Sequence, residues 1–417
     1  MRIAMVSEHA NPLATLGGVD SGGQNVHVAA LASHLVRRGH EVTVFTRRDD
    51  PDSPRQVRTE SGYLVEHVLA GPPTDVPKDD LLGYMPDFAR HLASRWSGGP
   101  YDVVHTHFWM SGLAGLAAAE ASGLPVVHTF HALGTVKLRH QGRADTSPPN
   151  RIRLEQRICQ RAGHIIATCT DEVSELMAMG MPEHHATVIP CGVDTDLFRP
   201  ASANGSVPAS QPLTSTAPAS RNLKRLLMVG RLVPRKGGAE AVRALAGLPD
   251  VELVIVGGPR ADALSVDPEV RRLWQIAESG GTANRVRFLG QVTHGRMPDL
   301  FRSADIVVAV PWYEPFGIVP LEAMACGRPV VGSAVGGMLD TILPGITGDL
   351  VRPRDHEQLA QVLRVLLDDE PRRAAYGRAG VCRARGTYHW ARIAKETERV
   401  YGYTVTNKLA TATEAAG

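Results

Sequence analysis

The sequence offers little that would brace or anchor it from outside. Its five cysteines (Cys159, Cys169, Cys191, Cys326 and Cys382) are scattered over 417 residues, odd in number and never in C-x-x-C spacing, which excludes a disulfide framework and a structural zinc site. They read as small apolar fillers. No apolar run approaches the ~20 residues that cross a bilayer, and Met1-Arg2 leads directly into a strand-like run. Neither a membrane span nor a signal peptide is expected, so the reading is cytoplasmic; transient docking on a membrane face needs only a small amphipathic patch and stays open. A formal net charge of +2 gives no broad basic footprint for nucleic acid. The glycine-rich loop after the first strand, Gly17-Gly18-Val19-Asp20-Ser21-Gly22-Gly23-Gln24-Asn25, is not G-x-G-x-x-G, and no acidic residue marks a nicotinamide ribose. No cofactor is implied.

What is present is alternation. A chain this long exceeds what one core usually serves, so two domains are expected. Strand-like runs fall at 2–7, 42–46, 64–69, 102–107, 125–129 and 164–169, several followed by helical patterns such as Asn25 to Arg38 and Leu113 to Ala121. A second series falls at 225–230, 251–257, 286–289, 305–310 and 329–332. Repeated strand and helix predict two doubly wound α/β domains, at 1–200 and 223–388. Between them, 201–222 is rich in Ala, Ser, Pro and Thr and reads as a flexible exposed linker. A helix at 389–403, beginning at Trp390, and a frayed tail at 404–417 complete the division.

Two stretches of the second series carry chemistry. Asp305 to Val310 reads as a buried parallel strand and the Ala-rich run to Cys326 as a helix stopped by Gly327. Glu314 then lies in a Pro/Gly loop and Glu322, eight residues on, lies on the helix. In open α/β sheets ligands bind at the carboxyl ends of strands, and a helix N-terminus offers N–H groups to phosphate. Alone, the two acids read better as a buried loop carboxylate and a solvated helix residue. Upstream, Arg231-Leu232-Val233-Pro234-Arg235-Lys236-Gly237 follows a strand and places Arg231 and Lys236 where both can converge on one diphosphate. Together these stretches resemble the E-x7-E signature of the family 4 retaining glycosyltransferases, and the similarity runs over nearly the whole chain.

That resemblance implies the GT-B fold, two Rossmann-like domains facing across a cleft, with the 389–403 helix packing back on the N-terminal domain. It implies retaining, metal-independent transfer of a hexose or N-acetylhexosamine from a nucleotide-sugar donor, a UDP-sugar ahead of GDP- or ADP-sugars, to a small polyol, sugar or sugar phosphate. Arg231 and Lys236 would neutralise the leaving diphosphate, with Arg235 a weaker candidate. Glu314 would hold donor-sugar hydroxyls, the N–H groups of Phe316, Gly317 and Ile318 would line sugar and phosphate, Glu322 would bind ribose, and Gln291 and Val292 would receive the base. From the N-terminal half, Gly22 and Gly23 would close over the diphosphate, and His131 would stand near the donor sugar and acceptor. His105, His107 and His128 read as structural. Asp194-Thr195-Asp196 spells D-x-D, a metal-binding pattern in another glycosyltransferase fold, but here Asp194 reads as the cap of a helical turn and no metal is expected.

Within the family the N-terminal half is most similar to D-inositol 3-phosphate glycosyltransferases of mycothiol synthesis, with part shared by sucrose-phosphate synthase-like enzymes. The similarity rests on Ser21 to Val26, Lys78, His105-Thr106-His107-Phe108-Trp109 and Val136-Lys137. In those enzymes an acceptor phosphate is held by residues matching Lys78 and Arg151, by a tyrosine where this chain has Phe108, and by a threonine where it has Ala132. Loss of two polar partners leaves the acceptor open between inositol phosphate and another polyol or sugar. A sugar-nucleotide 2-epimerase of the same architecture and a non-catalytic nucleotide-sugar-binding protein are the rival readings. The oligomeric state is not legible.

Overall fold

Short β-branched and apolar runs bounded by Gly and Pro become parallel strands here because both faces are covered, so the central strands of each sheet are buried almost throughout. The computed structural model describes residues 1–14, 22–99, 101–201 and 223–416. Gly17 to Ser21 of the glycine-rich loop, and positions 202–222 of the expected linker, lie outside the described residues. The chain divides into two compact units, Met1–Cys191 with Trp390–Gly417, and Gly192–His389. The dividing line thus falls before 200. Val193 N–H donates to Tyr388 O at 2.8 Å, and Phe198 packs edge-on against Phe301, so residues 192–200 belong to the second unit.

The first unit is built on strands β1 (Arg2–Val6), β2 (Glu41–Arg47), β3 (Gln56–Arg58), β4 (Leu64–Val68), β5 (Val103–His107), β6 (Val126–Thr129), β7 (His164–Ala167) and β8 (Ala186–Val188). Their order is β3-β4-β2-β1-β5-β6-β7-β8, parallel except for the β3–β4 pair. The order reverses between β1 and β5. Strands β3 and β8 were not among the expected runs: each has three residues, mostly exposed or half-buried, and so no apolar signature.

The closing helix departs from expectation more. It runs Trp390–Ala416 without the predicted frayed tail. Buried Thr404 donates to Val400 O at 2.7 Å, and Lys408 Nζ reaches Leu124 O at 3.0 Å, so the helix stays docked on the unit past Tyr401. Its start packs Trp390 edge-on against His27, at 5.4 Å, and Tyr401 Oη lies 2.7 Å from His105 Nδ1.

The second unit carries β9 (Lys224–Val229), β10 (Val251–Val256), β11 (Val286–Gly290), β12 (Ile306–Ala309), β13 (Val330–Ser333) and β14 (Gly348–Val351). All pair in parallel in the order β11-β10-β9-β12-β13-β14, the doubly wound order with its reversal between β9 and β12. Strand β14, which opens on Gly and Asp, went unread in the sequence. Before β9, Asp194 caps the turn that begins at Thr195, accepting from Asp196 N and Leu197 N at 3.0 Å, as expected. Four cysteines are buried and Cys382 is exposed, so Cys382 is not a core filler. Among the described residues no helix is long and apolar enough to cross a membrane.

Several of the first unit's buried histidines lie against one another. His27, His105, His107, His128 and His131 are all buried, with His107 Nδ1 sharing a hydrogen bond with His131 Nε2 at 2.8 Å and His128 Nδ1 lying 2.7 Å from Thr106 Oγ1. Burial disfavours imidazolium, taking His27 down to about 4 and His128 to about 3, and pushing His105, His107 and His131 well below the ordinary range. The folded pKa values lie below the unfolded 6.5. Below pH 6.5 the unfolded chain therefore takes up protons that the folded chain refuses, and stability falls as pH falls, by about 1.4 kcal/mol per pH unit for each such group. Thermal denaturation of the first unit should drop in midpoint between pH 7.5 and pH 5, and a His105→Gln/His128→Gln variant should flatten that slope. An unchanged slope would contradict the assignment.

Candidate functional site

Reversal of strand order leaves a crevice at the carboxyl ends of β9 and β12, and the loops that leave these two strands carry Arg231, Lys236 and Glu314. Arg231 and Lys236 lie between β9 and the Gly238–Ala244 helix, and Glu314 lies between β12 and the Ile318–Ala325 helix. The loops meet. Gly237, at φ +81°, stands so close to the end of β12 that a Cβ there would lie 2.0 Å from Val310 O. Next to this contact Trp312 N–H donates to Arg235 O at 2.8 Å. Lys236 Nζ then forms an ion pair with Glu314, the two side chains being 22% and 15% exposed.

The pair sets both protonation states. Burial alone would raise Glu314, but Lys236, Arg235 and the N–H of Phe316 outweigh it and hold the carboxyl below its ordinary value. Burial lowers Lys236, Arg235 and Arg231 lower it further, and Glu314 opposes them. Lys236 has three N–H donors, so pairing with Glu314 leaves capacity for an anionic ligand. Phe316 N–H, expected to line a ligand, is directed to Glu314 here. Gly317 adopts φ +72° at the cap of the Ile318–Ala325 helix, whose first N–H groups have no intrahelical acceptor. Glu322, half-buried on that helix, is pushed up to about 8 by burial. The two acids of the motif are thus held at opposite extremes.

Gln291 and Val292 follow β11, at the same edge of the sheet but beyond β10; Gln291 N–H donates to Pro259 O at 2.9 Å. Sequence reading missed what supports the Glu314 loop from its other side. Gly337 N–H donates to Glu314 O at 2.9 Å, and Gly336, at φ +47°, leaves no room for a side chain, since a Cβ would lie 2.3 Å from Glu314 O. Arg354 lies over the Trp312 ring at 4.0 Å and Arg235 over Tyr313 at 5.1 Å, so each aromatic residue preceding Glu314 is covered by a guanidinium. Gly336-Gly337 after β13 was a readable signal; the Arg354 contact was not.

In the first unit, Gly22 and Gly23 open the Gly23–Arg37 helix, where Gly22 N–H donates to Asn25 Oδ1 at 3.0 Å. His131 is buried at φ +63° at the end of β6, against His107. Phe108, at the end of β5, is buried at φ +78°, a conformation rare for a bulky residue. Lys78 Nζ and Arg151 Cζ lie over its ring at 5.7 and 5.3 Å, so the two predicted cations do converge. Arg151 also braces its surroundings, donating to Glu155 Oε1 at 2.7 Å and to Ala132 O at 2.6 Å, while Glu155 accepts Gly134 N–H at 2.8 Å.

Comparison with known proteins shows the family and the fold. Residues 21–197 match the family described as Glycosyltransferase Family 4, and residues 216–381 match Glycosyl transferases group 1. The chain is 35% identical to a D-inositol 3-phosphate glycosyltransferase of Kineococcus radiotolerans, over 98% of this chain and 97% of that one. A D-inositol 3-phosphate glycosyltransferase of Xylanimonas cellulosilytica is 37% identical over 96% of each chain. Among solved structures, sucrose-phosphate synthase of Thermosynechococcus elongatus superposes with a TM-score of 0.88 at 31% identity, covering 97% of this chain and 99% of that one. HepE of Anabaena, in complex with UDP-glucose, shares the fold at a TM-score of 0.72 and 21% identity, over 99% of this chain and 100% of its own.

Gly336→Ala should distort the Glu314 loop, because both the left-handed backbone and the 2.3 Å approach oppose a methyl group. A loss of about 1–3 kcal/mol in the second unit's stability is expected from thermal or urea denaturation. A wild-type midpoint would show that the loop is not held from this side.

Proposed function

The chain belongs to the family 4 glycosyltransferases, and from that membership we propose that it transfers a hexose or N-acetylhexosamine, with retention and without a metal, to a small polyol, sugar or sugar phosphate. The observation that carries the reading is the meeting of Arg231, Lys236 and Glu314 on two adjacent loops at the strand-order reversal. Lys236 and Arg231 neutralise the diphosphate, and their interaction strengthens as negative charge develops on the leaving oxygens. Glu314, kept ionised by Lys236, accepts hydrogen bonds from the sugar's hydroxyls, while Gly317 and Ile318 bring backbone N–H groups to the donor. Glu322 binds the ribose, and Gln291 and Val292 border the base. A UDP-sugar is the first donor to consider, since HepE, of the same fold, binds UDP-glucose.

The first unit is assigned the acceptor, with Lys78 and Arg151 attracting an anionic group, His131 near the reacting sugar, and Gly22 and Gly23 at the diphosphate. By their names the similar enzymes handle phosphorylated small molecules, D-inositol 3-phosphate in one and sucrose phosphate in the other. Attack from the face that the diphosphate leaves, with a donor phosphate oxygen taking the proton, needs no side-chain nucleophile. Positive charge from Arg231 and Lys236 also replaces a divalent ion, consistent with Asp194 being engaged as a cap.

Nucleoside diphosphate release from UDP-, GDP- and ADP-glucose should require an acceptor, which separates transfer from epimerisation and from simple binding. Lys236→Ala and Arg231→Ala should each lower turnover by about 100-fold or more with the circular dichroism unchanged, and EDTA should have no effect. Wild-type turnover in either variant would refute its role. Proton NMR of the first-formed product should show an α linkage from an α donor; a β coupling would overturn retention.

A further inference from the structure

The Gly336-Gly337 turn that supports Glu314 is itself held, and none of the roles above uses the residues that hold it. Gly337 caps the short Met338–Thr341 helix. Its N–H donates to Glu314 O at 2.9 Å, while its carbonyl accepts the Thr341 hydroxyl at 2.7 Å. Thr341 Oγ1 also stands against Gly317, 3.2 Å from where a Cβ would lie. One helical turn therefore borders both the loop that carries Glu314 and the glycine that starts the next helix.

A helix leaves its last carbonyls without partners of its own. Here two side chains take them. Arg383, on the Glu370–Thr387 helix, donates to Thr341 O through Nε at 3.0 Å and to Asp340 O through Nη2. Tyr388, 3% exposed just beyond that helix, donates its hydroxyl to the same Asp340 O at 3.0 Å and accepts from Arg383 Nη2 at 3.1 Å. Phenylalanine would fill the same space, so the buried hydroxyl is explained by the carbonyl it meets.

The main chain of Tyr388 is engaged elsewhere. Its carbonyl accepts Val193 N–H at 2.8 Å, and Val193 bridges His389 in parallel. Gly192 and His389 are the first and last residues of the second unit, so these are the segments by which the chain enters and leaves it. We propose that Tyr388 and Arg383 are positioning residues for donor-sugar recognition. They fix the Met338–Thr341 turn, the turn fixes the Glu314 loop, and the seat of Glu314 is thereby tied to the segments that join the two units. The proposal rests on the assignment of Glu314 to the donor sugar made above. Both residues act through Glu314.

Calorimetry on the full chain tests this, with wild type, Tyr388→Phe, Arg383→Lys, Glu314→Gln and the Tyr388→Phe/Glu314→Gln double variant titrated with UDP and UDP-glucose and with the GDP and ADP pairs. Tyr388→Phe removes one oxygen and keeps the ring that Arg383 covers at 5.3 Å, and Arg383→Lys replaces a planar fork by a point charge. Each should weaken the nucleotide sugar about tenfold, the size expected for one misplaced hydrogen bond, with the diphosphate affinity within about twofold. In the Glu314→Gln background Tyr388→Phe should cost nothing further, because both changes act on one contact. A merely structural role would not be silenced by Glu314→Gln. A wild-type ratio of nucleotide-sugar to diphosphate affinity in Tyr388→Phe or Arg383→Lys, equal losses for both ligands, or additive losses in the double variant would overturn the proposal while leaving the functional reading standing. A wild type that binds none of the three nucleotide sugars, or a Glu314→Gln variant with the wild-type ratio, would overturn both.

Discussion

The ion pair between Lys236 and Glu314 ties the loop after β9 to the loop after β12, and the arrangement of the candidate site in the second unit depends on that tie. It requires the loops to approach within a distance that only glycine permits at position 237, and it requires adjacent strands whose connections leave in opposite directions. The pair is mostly shielded, so its worth is not that of an exposed salt bridge. Its consequence is charge placement: an ionised carboxylate kept beside a cluster of three cations, with Glu322 a short distance along the same motif driven the other way by burial. Within one motif the surroundings thus push two acids in opposite directions.

The first unit repeats the architecture with different contents. Its strand ends carry a buried histidine core, two cations over Phe108, and a hydrogen-bonded Glu8–His9 pair. Positive φ at Phe108 and His131 marks the two loops where the backbone accepts strain, and both border that group of side chains.

Sequence made the strands with long β-branched runs legible, since burial on both faces leaves a continuous apolar signature. Strands β3, β8 and β14 escaped because an edge position lets polar and glycine residues serve. The closing helix was read too short: its extension depends on Thr404 and Lys408 finding partners, which helical periodicity does not encode. At the candidate site, residues within one strand–loop–helix segment were readable as a group. Contacts between distant segments were not, as with Arg354 on Trp312, Gly337 on Glu314 O, and Ser111 on Glu8. The convergence of Lys78 and Arg151 came from resemblance, while the bracing role of Arg151 toward Ala132 and Glu155 needed coordinates.

The central claim, that Lys236 grips diphosphate while Glu314 grips sugar, is tested most directly by calorimetry on the wild type, Lys236→Ala and Glu314→Gln. Each would be titrated with UDP and UDP-glucose, and with the GDP and ADP pairs. The account predicts that Lys236→Ala weakens nucleoside diphosphate and nucleotide sugar alike. Glu314→Gln should keep the diphosphate affinity and lose the added affinity conferred by the sugar. Equal losses for both ligands in Glu314→Gln, or unchanged diphosphate affinity in Lys236→Ala, would contradict it.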